Sequence, residues 1–379
     1  MPILRYGSSG AYAYWLQSTL KKLGFYSGAI DGVFGSQTLS AVQNFQREFG
    51  LIPDGIVGNL TWNALSPYMN GTVFDIVPTD IIYPYSIMMR NITSLIAKYP
   101  FLELSYYGKS VMGKNLPIIK IGRGSREVFY SASIHANEWI NSVVFMKFIE
   151  DFAKAYEAND EIFGFNAREI FEKTSIYIAP MANPDGVDLV LWQIPVRSST
   201  YLNAKSIASN YPEIPFPNGW KANIVGVDLN LQFPAEWKLA REIKYNQGFI
   251  RPAPRDFVGY GPLTEPEALA LYDYTLAHNF SLILTYHTQG EIIFWRYLEF
   301  EPEGAYDLGK EFARVSGYTL DDTIETNSYA GLRDWFISNY NRPGYTVETG
   351  KGQNPLPISQ FDEIYNDNIG ILVLAATYK

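Results

Sequence analysis

Apolar residues recur every three or four positions at Ala13, Leu16, Leu20 and Leu23, and the run stops at Gly24. That spacing predicts an amphipathic helix closed by a glycine turn. A second helix is expected from Ser36, which can cap it, with Ala41, Val42, Phe45 and Phe49 on one face. The stretches IDGVFGSQTLSAV (30–42) and PDGIVGNLTWNAL (53–65) echo each other: Asp-Gly, a second Gly, a Thr and an Ala recur at a constant offset of 23 residues. Each copy reads as a tight Asp-Gly turn leading into a helix, so residues 1–68 are expected to form a small three-helix domain. Residues 69–82 mix Pro, Gly, Asn and Asp without periodicity and are expected to be a linker.

From Tyr83 the pattern changes. A helical segment, SIMMRNITSLIAKYP, precedes apolar strand-like runs that alternate with helical stretches. The runs are LPIIKIG, VFYSASI, TSIYIAPM, SLILTYHT and YTVETG, with one helix starting near Asn141 and a last one near the C-terminus. Such alternation predicts an α/β domain over residues 83–379 with a largely buried sheet.

Composition removes several function classes. A net charge of −9 argues against nucleic acid as the main partner, because phosphate binding needs a basic face. No run approaches the length of a membrane span, and the start MPILRYGSSG lacks a basic segment followed by an apolar core, so no export signal is expected. The absence of cysteine excludes disulfides, thiolate zinc sites and cysteine nucleophiles. Histidine and carboxylate are left as the strong ligands for a transition metal.

The run SIHANEW places His135 and Glu138 three positions apart, directly after VFYSASI. Alone, this pair reads equally as two metal ligands or as an ordinary strand end. His287 closes another apolar run, SLILTYH, while His278 in LAHNF has no partner pattern and is given no role. Two histidines and a glutamate at the ends of buried strands would converge where open α/β sheets place their sites. Two His and one Glu with a fourth position left open make a catalytic zinc set.

The chain from about Tyr83 to the end resembles the zinc carboxypeptidase family. It carries HxxE (His135, Glu138), NPDG (183–186), GVDLN (226–230), YH (286–287) and YTVE (345–348) in the family's order. The resemblance implies a mixed, mostly parallel sheet flanked by helices and one Zn²⁺ held by His135, Glu138 and His287. It implies Glu348 as the general base and Asp228 as the acceptor of the free N–H of His135. Lys221, in GWKANIVGVDLN, stands where the family has an Arg after a Trp, and is expected to face the developing oxyanion. The alternative is a solvated surface lysine. Residues 8–68, with LQxxLxxLGF and the repeated DGxxGxxT, resemble the three-helix peptidoglycan-binding domain of bacterial wall hydrolases. Here the alternative is a pattern that encodes only turns and a small core.

One departure redirects the substrate. In DLNLQF, Asn230 is kept as a substrate-binding residue, but Leu231 stands where carboxypeptidases have the Arg that grips a terminal carboxylate. In AGLRDW, Arg333 aligns with the family's position that selects the substrate side chain, and a cation there favours a carboxylate such as that of diaminopimelate; an Arg333 that faces solvent or pairs near Asp334 is the alternative. RPGYTVETGKGQNPLPISQF also resembles the γ-D-glutamyl-diamino acid endopeptidase branch. The expectation is a bacterial cell-wall lytic peptidase that cuts peptidoglycan stem peptides and muropeptides between D-glutamate and diaminopimelate. It would be wall-associated or secreted, or held in the cytoplasm of a sporulating or lysing cell. A general metallocarboxypeptidase and a non-catalytic wall-binding protein are the rivals.

Overall fold

Residues 2–65, 68, 75–322 and 329–378 are described by the computed structural model. Residues Met1–Phe74 and Asp75–Lys379 form separate units. In the first, α1 (Ala11–Lys22), α2 (Ser36–Glu48) and α3 (Asn59–Leu65) enclose a core that includes Leu16, Leu20, Phe34, Val42, Phe45 and Trp62.

The 23-residue echo has a cause that the pattern did not show. Gln17 is fully buried, and its amide donates to Asp31 Oδ1 (2.8 Å), Val33 O (2.9 Å) and Thr38 Oγ1 (3.1 Å) while accepting from Gly32 N (2.8 Å). Gln46 repeats the arrangement with Asp54 Oδ1 (2.9 Å), Ile56 O (3.0 Å), Thr61 Oγ1 (3.1 Å) and Gly55 N (2.9 Å). Each Asp-Gly turn is thus locked to a helix by one buried glutamine, which satisfies backbone groups that the turn strips from water. Ser36 is not a cap: α2 starts there with Gly35 at the capping position and no side-chain cap bond.

The expected linker 69–82 falls partly outside the described residues, at 69–74. Residues 75–82 are tied to the second unit: Asp75 pairs with Lys147 (2.8 Å) and Lys154, and the buried Glu150 carboxylate accepts the N–H groups of Ile76 (2.6 Å) and Val77 (3.1 Å). The segment shows no periodicity because side chains of a neighbouring helix, and not its own backbone, hold it.

The second unit runs α4 (Tyr85–Lys98), β1 (Glu103–Lys109), β2 (Asn115–Ile121), β3 (Arg126–Ala132), α5 (Ile140–Ala158), the short hairpin β4 (Glu161–Ile162) and β5 (Phe165–Asn166), α6 (Ala167–Lys173) and β6 (Thr174–Ala179). It continues with α7 (Pro184–Val190), α8 (Ser199–Ala208), α9 (Trp237–Asn246), α10 (Pro266–Leu276), β7 (Leu282–His287) and β8 (Ile292–Phe294). The last elements are α11 (Ala305–Ser316), β9 (Thr319–Asp321), α12 (Leu332–Tyr340), β10 (Gly344–Glu348) and α13 (Phe361–Thr377). Eight strands form one mostly parallel sheet in the order β1-β2-β6-β3-β7-β10-β8-β9.

Successive strand residues face opposite sides. Val128, Tyr130, Leu282 and Leu284 join the core with Val144, Phe148 and Ile371 of α5 and α13. Phe129 and Ile283 join Leu271, Phe336 and Ile337 of α10 and α12 on the other side. Both faces are covered, which is why these strands read as unbroken apolar runs. Each fully buried large side chain contributes about 1.5–3 kcal/mol. Among the described residues, no helix is long and apolar enough to cross a membrane.

Candidate metal and active site

The strands β3, β7 and β10 lie side by side and run parallel, with Ala132 opposite Tyr286 and Glu348 opposite His287. Their C-terminal ends therefore meet at one edge, and the chemistry collects there. After β3 the chain turns sharply at Ser133, whose φ of 53° is left-handed; its hydroxyl bonds Ser142 Oγ (2.8 Å). A 3-10 turn, Ala136–Glu138, follows. Residues three apart eclipse in such a turn, so Glu138 comes round beneath His135.

The result is a tight cluster. His135 Nδ1 lies 3.0 Å from Glu138 Oε1, His287 Nδ1 lies 3.0 Å from Glu138 Oε2, and the two Nδ1 atoms are 3.2 Å apart. One ligand atom from each residue can be chosen so that all lie within 4.8 Å of one another, and all three residues are buried. Asp228 Oδ1 stands 3.1 Å from His135 Nε2. With Nε2–H donated there, Nδ1 of His135 turns its lone pair toward Glu138 and His287. Two imidazole nitrogens and a carboxylate converging on one buried point fit a divalent transition metal, and no fourth protein ligand joins them among the described residues.

The charges around the cluster hold its neighbours in defined states. Burial alone would raise the Asp228 carboxyl, but His135 and the Asp256 N–H (3.1 Å) hold it well below the usual range. Burial would lower the Lys221 ammonium, yet Glu138, whose Oε1 it meets at 2.8 Å, holds it above its ordinary value. Lys221 is thus not a surface lysine; its partner is the carboxylate it would share with a metal. Burial pushes Glu348 up, and Glu138 adds to this while His287 opposes it.

Landmarks without an assigned task now have one. Asn183, from NPDG, donates to Ile134 O (3.2 Å) and Ala222 O (2.9 Å), clamping the His135 loop to the Lys221 loop. Gly186 is required by close approach, since a Cβ there would come within 2.7 Å of Ala136 Cβ and of Ala222 O. Sequence reasoning missed Asn141, whose amide donates to His287 O (2.9 Å) and accepts from Thr349 Oγ1 (2.8 Å). Its signal was an Asn at the start of a helix, just ahead of the apolar run VVFM.

A cleft of about 1020 Å³ opens over the cluster, lined by His135, Lys221, Asn230, Arg255, Arg333 and Glu348 among others. Asn230 Oδ1 accepts from Leu332 N (3.3 Å), at the start of α12. Leu231 packs with Trp237, Val258 and Ala330, so that wall is apolar. Arg333 is 4% exposed and donates from Nε to Asp334 Oδ1 at 3.0 Å, so its charge is shared with that carboxylate. His278 sits elsewhere, stacked on Phe280 and 3.3 Å from Glu127 near the start of β3.

Fold and cluster together define a metallopeptidase, and comparison with known proteins gives the family. Residues 88–370 match the zinc carboxypeptidase family and residues 9–65 a peptidoglycan binding domain. The chain is 43% identical over 319 residues to the γ-D-glutamyl-L-diamino acid endopeptidase 1 of Lysinibacillus sphaericus, covering 84% of this chain and 75% of that one. Its first unit is 49% identical over 63 residues to a spore cortex-lytic enzyme of Bacillus cereus, 17% of this chain and 24% of that one. Thrombin activatable fibrinolysis inhibitor has the same fold, with a TM-score of 0.62 at 17% identity over 82% of this chain and 78% of that one. The protein belongs to the zinc carboxypeptidase family. It is a hydrolase that carries a peptidoglycan-binding domain ahead of its peptidase domain.

Proposed function

We propose that the protein hydrolyses the bond between γ-D-glutamate and diaminopimelate in peptidoglycan stem peptides. The observation that carries the choice of substrate is Leu231: buried beside Trp237 and Val258, it cannot pair a terminal carboxylate, so a free C-terminus loses the partner that would make it obligatory. The 43% identity to an enzyme named for γ-D-glutamyl-L-diamino acids supports the same reading. The N-terminal domain anchors the enzyme to the wall, and its place of work is the wall of a bacterium or of its spore.

His135, Glu138 and His287 would hold one Zn²⁺. When bound, that ion supplies Lewis acidity, lowering the pKa of a water to about 7 and polarising the scissile carbonyl. Glu348, raised by burial, takes the proton of the attacking water and passes it to the leaving amine. Lys221 keeps its positive charge and faces the oxygen on which negative charge develops. Asp228 holds the tautomer of His135. Asn230 and Arg333 orient the diaminopimelate side of the stem, Arg333 as a hydrogen-bond donor more than as a net charge.

Zinc-loaded protein should be incubated with defined tripeptide and tetrapeptide stems and with ordinary peptides bearing free C-termini, and the products weighed by mass spectrometry. Stems split between D-glutamate and diaminopimelate, with the ordinary peptides intact, are the expected outcome. Release of single C-terminal residues with intact stems would make it a carboxypeptidase, and no hydrolysis of anything would make it a binding protein.

A further inference from the structure

The cations of the cleft are not equally committed. Lys221 is held by Glu138 and Arg333 by Asp334. Lys244 and Arg255 share a single carboxylate, Asp256, at 2.6 Å each, Lys244 Nζ on Oδ1 and Arg255 Nε on Oδ2. Among the described residues, Asp256 is the one carboxylate these two cations touch, while Asp228 and Glu138 act on Arg255 from farther off. Arg255 uses only Nε in this pair. Its side chain is 42% exposed and lines the cleft, and its terminal nitrogens make no further bond among the described residues.

The backbone fixes where this cation stands. Pro254 O accepts from Lys221 N (2.7 Å) and Ala222 N (2.9 Å), and Asp256 N donates to Asp228 Oδ2 (3.1 Å). Arg255 is therefore strapped between the Lys221 loop and the carboxylate that steadies His135. Asp256 also fixes Nε and so pre-orients the two-pronged edge that binds carboxylates in a fork.

We propose that Arg255 is a specificity residue that grips the free α-carboxylate of the substrate's D-glutamyl residue. This rests on the γ-D-glutamyl reading above. A glutamate linked through its side chain keeps its α-carboxylate, separated from the scissile carbonyl by three carbons, whereas an ordinary peptide has an amide in the main chain and no such anion. The uncommitted edge of the Arg255 guanidinium thus rewards the linkage itself and is a second reason, besides Leu231, for ordinary peptides to be refused.

Two stems differing only there, one with D-glutamate and one with its α-carboxamide, D-isoglutamine, test this. Wild-type protein is expected to favour the acid stem about 10–100-fold in kcat/KM, the range of a charge-assisted hydrogen-bond pair. Arg255→Gln should bring the ratio close to one, and Arg255→Lys should restore part of it. An unchanged ratio in Arg255→Gln, or a wild type that does not distinguish the stems, overturns the proposal. Calorimetric binding of both stems to zinc-loaded Glu348→Gln, with and without Arg255→Gln, separates this from the fate of the reaction. If wild type cuts neither stem, the proposed function falls. An acid preference in binding that vanishes with Arg255 still upholds the anchor, and equal binding overturns it too.

Discussion

Asp228→Asn isolates the support of the metal site from the site itself. The carboxylate serves three N–H groups: Oδ1 meets His135 Nε2 (3.1 Å) and Asn230 N (3.2 Å), and Oδ2 meets Asp256 N (3.1 Å). An amide of the same shape has one acceptor and one donor. Keeping its oxygen on His135 and Asn230 sets NH₂ against the Asp256 N–H, which leaves a buried donor unpaired at a cost of about 1–3 kcal/mol. The imidazole also loses its charged partner and some of its basicity, which lowers metal affinity about 10–100-fold. Chelator competition should show that weakening, and thermal unfolding of the metal-free protein the loss of stability, while kcat at saturating zinc falls far less than when a ligand is removed. A zinc affinity within about twofold of wild type in a folded variant would refute the role of Asp228 in supporting His135. A loss as deep as that of His135→Ala would instead make Asp228 a ligand.

Three further outcomes are expected. Glu348→Gln removes the proposed proton acceptor and should lower kcat about 10²–10⁴-fold with zinc content unchanged by elemental analysis; retained turnover would point to another base. Glu267 on α10 is fully buried, accepts Val111 N–H at 2.9 Å with one oxygen, and has no partner for the other among the described residues. Burial, with Asp185 and Glu265 adding, pushes it up to about 7, so the folded state holds this proton more tightly than the unfolded chain. Stability should then fall between about pH 4.5 and pH 7 by roughly 3 kcal/mol and level off above; Glu267→Gln should flatten that slope in denaturant titrations, and an unaltered slope would reject the assignment. Gln46→Ala strands Gly55 N, while Ile56 O keeps Gly58 N and Thr61 Oγ1 as donors, and should destabilise the first unit by about 1–3 kcal/mol, read as its own unfolding transition, whereas a loss below about 0.5 kcal/mol would mean water replaces the amide.

How much of this was legible depended on where each residue points. The strands β2, β3, β6, β7 and β10 were visible because both their faces are buried. The strand β1 was not: ELSYYGK is exposed or half-buried along its whole length, and its pairing comes from β2 and not from its own pattern. The meeting of His135, Glu138 and His287 could be foreseen because each closes or follows an apolar run. Arg255 could not, since its neighbours RPAPRDF carry no periodicity and its position is set by Pro254 O and Asp256 N. Gln17 and Gln46 were passed over for a similar reason, because a buried glutamine among helical residues has the same letter as a solvated one.

The neighbouring strands β3 and β7 deliver imidazoles that are 152 residues apart along the chain. Until that pairing has closed, the two nitrogens share no space and an ion finds at best the local HxxE pair. Metal uptake would therefore act as a latch on the most distant contact of the sheet, and ion capture during refolding would mark the moment the centre of the molecule zips shut.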